Sequence, residues 1–179
     1  MIGSMIALSF GTVFILVNSG GLPDPWPLVV RVVGLLVAGL LVVALVRAAR
    51  TAPPEARAPV SGFTHRGYWS IVALEAVALF GGLAVINGVL HRSAVSVAWV
   101  AVVVGVHFFG LAWIWRMPLF HGLGAAMTVL GLAGFVIYAL GGSAAAVGVV
   151  AGVGSGIALY AAIAVALRDA RRRREGLAY

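Results

Sequence analysis

Apolar residues fall in six long runs, and the polar residues between them gather at a few sharp breaks. Each run is about 20 residues, the length an α-helix needs to cross a bilayer core of about 30 Å. The pattern predicts six spanning helices, over residues 2–19, 27–46, 69–90, 95–115, 119–140 and 144–167. The stretch GGLPDPWP (20–27) carries three prolines and two glycines, so it ends the first helix and starts the second at Pro27. Short turns at HRS (91–93), WRMP (115–118) and GGS (141–143) make the later helices antiparallel neighbours. The one long polar connection is residues 47–68, and a basic tail follows at 168–179. The expected architecture is all-α: a single integral membrane bundle of six transmembrane helices.

Composition agrees with lipid as the solvent. Of the 179 residues 63% are hydrophobic and 9% charged, where a soluble domain carries about 25% charged residues. With no cysteine, neither a disulfide nor a thiolate metal site can form. The opening MIGSMIALSFGTVFILVNSGG has no basic stretch before its apolar run and no small-x-small cleavage pattern, so it reads as a retained first helix.

Charge gives direction. The chain has 12 arginines and no lysine, for a net charge of +7. Placing the long connection in the cytoplasm puts Arg47, Arg50, Arg57, Arg66, Arg116, Arg168, Arg171, Arg172, Arg173 and Arg174 on that side. Arg92 and Arg31 are left at the other end. That bias predicts both termini in the cytoplasm, and the Arg-only, Ala/Val/Gly/Leu-rich coding points to a bacterial inner membrane. The tail RDARRRREGLAY is expected to touch anionic lipid rather than nucleic acid. Trp26, Trp69, Trp113 and Trp115 fall at span ends, as an interfacial belt requires. Trp99 fits that belt least well.

Helices in lipid approach closely through small residues. The sixth span reads Ala144, Gly148, Gly152, Gly156 at spacing four, a ridge for internal packing or for a homo-oligomer. Ala78 and Gly82 in the third span, and Gly124, Thr128 and Gly131 in the fifth, offer further seams.

Ionisable groups inside spans are costly and find partners. Glu75 sits in IVALEAVALF, roughly 9 Å into the third span at 1.5 Å per residue. His107 lies roughly 12 Å from the same end of the fourth span. The matched depth predicts a Glu75–His107 contact, a carboxylate and an imidazole whose protonation would be coupled. Asn87 and His121 are expected to join them as substrate-binding groups between the third, fourth and fifth spans; Arg31 is expected to snorkel outward or pair with Asp24. The histidines lack metal-ligand spacing, and the glycines of AGVGSG lack a preceding strand, so neither a metal nor a nucleotide cofactor is expected.

The segment GVHFFGLAWIWRMPLFHGLGAAMTVLGLAG (105–134) resembles segments of uncharacterised small polytopic bacterial membrane proteins: a His-Phe pair late in one span, a short basic turn, then a Gly-rich span. The resemblance carries no activity and implies only that His107 is more than filler. Three functions stay open. One is binding or transport of a small solute through a polar pocket with protonatable Glu75 and His107. Another is intramembrane chemistry, of cyclase or isomerase type, on a lipidic or isoprenoid substrate with Glu75 as general acid and His107 its catalytic partner. The third is an accessory subunit of a membrane complex.

Overall fold

A computed structural model of the chain describes residues 2–51 and 66–176. These form six helical segments, and among the described residues there is no strand. Helix α1 is Ile2–Asn18 and α2 is Trp26–Arg50. Helix α3 is α-helical over Arg66–Ala84 and π-helical over Val85–Val89. A 3₁₀ turn at Ser93–Val95 leads into α4, Ser96–Trp115, and α5 is Pro118–Ala139. Helix α6 runs from 144 to 176, with π-helical Gly148–Val153 between Ala144–Val147 and Gly154–Gly176.

Five of these stretches, all but α1, are long and apolar enough to cross a membrane, consistent with a helical membrane bundle. Helix α1 has 17 residues and so extends about 25 Å, a few ångströms less than a bilayer core. Its expected sixth span is therefore short. Helices α2 and α6 run past their expected ends at 46 and 167, to Arg50 and Gly176. Alanine and arginine there are good helix formers, so leaving the apolar run does not stop the helix. Most of the 47–68 connection, including Arg57, and residues 177–179 lie outside the described residues.

The termini of the helices are set locally. Prolines occupy the first turns of α2 and α5, where an amide donor is not needed. Ser143 caps α6 by accepting a hydrogen bond from the Ala146 amide at 3.1 Å. Helix α4 stops at Arg116, whose backbone is left-handed with φ 51°.

Helix α1 packs against α2 and α6, α6 against α4 and α5, α4 against α5, and α3 against α4, so α2 and α3 lie at opposite sides of the bundle. Close approach is through the small residues. A Cβ on Gly156 would press on the Gly11 carbonyl, and one on Gly124 on the Gly105 carbonyl, so α1–α6 and α4–α5 meet backbone to backbone. The ridge on α6 is taken up inside the bundle: Gly148 and Gly152 face Asn18, and Gly156 faces Ile15. A second copy could not use that ridge without displacing α1. Three apolar clusters fill the centre. Leu8, Ile15, Leu45 and Ile163 join α1, α2 and α6; Phe14, Leu123, Met127 and Leu159 join α1, α5 and α6; Ala98, Ala101, Val147 and Ala151 join α4 and α6.

Helix α3 is peripheral. Buried positions make up 6% of its apolar stretch, against 44% for α6. It leans on α4 along Ile71–Gly110, Glu75–His107 and Gly82–Trp99, and its other faces present Leu74, Val77 and Phe80 outward.

Candidate functional site

The α3–α4 seam holds the single ion pair between described residues. Glu75 Oε2 lies 3.0 Å from His107 Nδ1, with the side chains 22% and 12% exposed. Antiparallel neighbours bring matched depths together, and positions 71, 75, 78 and 82 of α3 share the face turned to α4. The contact is close but lacks the direction of a ring N–H hydrogen bond, so it is an electrostatic contact rather than an aligned bond. No described residue hydrogen-bonds the other ring nitrogen, Nε2.

The pair is bounded at both ends. Towards the Arg-rich end, Tyr68 stacks on Trp115 at 5.9 Å, Trp115 meets Phe120 at 5.6 Å, and Phe120 meets Phe108 at 5.7 Å. Towards the other end, the Trp99 indole donates to the Ala78 carbonyl at 3.1 Å and lies where a Cβ of Gly82 would be. Trp99 is thus a wedge between two helices, which explains why it fits the interfacial belt least well.

Asn87 and His121 do not converge on the pair. Asn87 is twelve positions along α3 from Glu75, about 18 Å. It donates to the Leu83 carbonyl and accepts from Ser96 Oγ at 3.0 Å, tying α3 to the start of α4. His121 is exposed on α5, with its ring 6.1 Å from that of Phe109. Phe109 is two positions from His107, nearly opposite on a helix of 3.6 residues per turn. The four residues therefore do not line one polar pocket. Instead an apolar groove of about 390 Å³ opens on the seam, lined by Gly81, Gly82, Val85, Ile86, Trp99 and Phe135.

Arg31 takes a different partner from Asp24. Its Nε donates to the Leu16 carbonyl and to Ser19 Oγ, both at 3.1 Å. A guanidinium thus sits on the carbonyl end of α1, where the helix dipole favours a cation. A second polar node was not expected from the sequence. Tyr160 is buried, its hydroxyl 2.7 Å from Thr12 Oγ1, and it donates to the Gly34 carbonyl at 3.4 Å. The signal for it was a tyrosine in the middle of a span, four residues after Gly156. Among the described residues no group of three His, Asp or Glu could hold a metal ion.

The fold and the pair define a class: a polytopic helical protein with a carboxylate–imidazole couple between two spans. No protein-family model, curated protein or solved structure matches the chain.

Proposed function

We propose that this protein binds or transports a small solute at the α3–α4 seam, with Glu75 and His107 as its protonatable groups. The observation that carries this reading is their 3.0 Å contact on adjacent spans. A carboxylate within a span is kept only where it is paired or used, and here it faces an imidazole with an uncommitted nitrogen. A proton or a cationic group entering the seam would compete for Glu75 and loosen the grip of α4 on the peripheral α3. The arginine distribution and composition support the cytoplasmic membrane of a bacterium, with the Arg-rich end inside. The test is Glu75→Gln in the purified full chain, read by ligand binding or by pH-dependent flux into liposomes. Loss or flattening of the pH dependence is expected, and an unchanged profile overturns the proposal.

A second reading is favoured by the apolar groove on the same seam. Gly82 is seven positions from Glu75, about 10 Å along α3. A lipidic or isoprenoid molecule could lay its chain in that groove with its polar end at Glu75, which would then act as general acid. An isoprenoid-like molecule co-purifying with the wild type and absent from Gly82→Leu would favour this reading over transport.

A further inference from the structure

A different surface has a groove of its own. At the Arg-rich end, a groove of about 370 Å³ lies between α2 and α6, lined by Leu41, Ala164, Leu167, Arg168, Arg171, Arg172 and Glu175. The α6 residues follow the three-and-four spacing of one helical face. Along that face the chemistry changes from apolar to basic in the direction leaving the bilayer. Ala164 and Leu167 belong to the apolar run, Arg168 stands where it ends, and Arg171 and Arg172 follow one turn later. No ion pair engages the three guanidinium groups among the described residues. Arg31 and Arg92, by contrast, are held by Ser19 and Tyr138.

We propose that this groove seats one anionic phospholipid, with its phosphate against Arg168, Arg171 and Arg172 and an acyl chain along Leu41, Ala164 and Leu167. The order of chemistry along the groove is that of a lipid standing in a leaflet: chain, then phosphate, then water. Free phosphate would use the arginines but gain nothing from the apolar floor. Glu175, at the aqueous rim, is the acidic residue lining the groove, and it opposes an anion there. Planar guanidinium groups suit phosphate oxygens, and a volume of this size lies in the range of small-molecule sites. This inference is independent of Glu75 and His107.

The test uses the detergent-purified full chain with equal phosphatidylglycerol and phosphatidylcholine, read as bound lipid by native mass spectrometry. The wild type is expected to retain phosphatidylglycerol preferentially. Each arginine near a membrane surface contributes about 1 kcal/mol towards anionic lipid, so Arg168→Gln, Arg171→Gln and Arg172→Gln should each lower retention about fivefold. Combining Arg47→Gln, Arg116→Gln and Arg173→Gln removes three charges from the same end but outside the groove, and should lower retention far less than combining Arg168→Gln, Arg171→Gln and Arg172→Gln. Ala164→Trp keeps every charge, fills the floor, and should lower retention. Glu175→Gln, at the exposed end of α6, should raise it without disturbing the fold. Equal losses in the Arg168→Gln/Arg171→Gln/Arg172→Gln combination and in the control combination, no headgroup preference, or an unaffected Ala164→Trp would each overturn the proposal. So would displacement of phosphatidylglycerol by inorganic phosphate alone at matched concentration, which would assign the arginines to the free anion.

Discussion

Placing an aspartate at the centre of a spanning helix costs about 2.5–3.5 kcal/mol on insertion scales; Glu75, nearer the end of its span, bears a smaller cost of the same kind. His107, 3.0 Å away, is the polar group that faces it. Gly82 serves the same seam by absence, since any side chain there would meet the Trp99 indole. Gly82→Leu should destabilise the protein by about 1–3 kcal/mol, the range for overpacking a tight contact, read as a lower midpoint in detergent-titrated unfolding. His91 has a left-handed backbone with φ 51°, a conformation that costs a residue other than glycine roughly 1–2 kcal/mol. His91→Gly should therefore raise the midpoint, while His91→Ala should not.

At the scale of helices, the bundle is stitched by polar nodes as well as small-residue seams. Thr12, Tyr160 and the Gly34 carbonyl tie α1, α6 and α2 in the interior. Tyr160→Phe keeps the ring against Gly11 and removes both hydroxyl contacts, so it should cost about 0.6–1.7 kcal/mol, the range for hydrogen bonds between helices in lipid. Thr12→Val should cost a similar amount, and the double variant little more than either alone, because both delete one node. The length of α1 as a sixth span was not legible in the sequence, whereas the six helical segments, the pairing of neighbours across short turns and the Glu75–His107 contact were. Run length and turn length determine them, and the matched depth follows from rise per residue. Helix rotation was not legible. Asn87 and His121 have the right residue types and spans, but their directions depend on how each helix is turned, which apolar runs without a polar face do not encode. The destination of the α6 ridge was open for the same reason, and Asn18 of α1 now fills it.

At the scale of the molecule, the arginines are the ordering feature. Helices α2, α4 and α6 all finish at one end, bringing Arg47, Arg50, Arg116, Arg168, Arg171, Arg172 and Arg173 there, while Arg92 stands at the opposite end with Tyr138. This arrangement predicts a single orientation in a living membrane. The natural absence of cysteine makes the test direct. Ser93→Cys should react with an impermeant maleimide on intact spheroplasts, and Arg173→Cys only after the membrane is opened. The reverse pattern would invert the assigned topology. Peripheral packing also divides the bundle in its tolerance of change. Outward positions such as Leu74 and Val77 should accept other apolar residues freely, whereas Met127 and Val147 have no exposed surface.

The Trp99 wedge has one consequence for observation. All five tryptophans stand within about a turn of a helix end, and Trp99 has its indole N–H fixed to a carbonyl of the neighbouring helix beside the apolar groove. Its emission wavelength and its quenching by brominated acyl chains will follow the separation of α3 from α4. With the other four replaced by phenylalanine, the protein becomes its own optical gauge of that seam, and the effect of pH, solute or Glu75→Gln on it can be followed in real time in a vesicle.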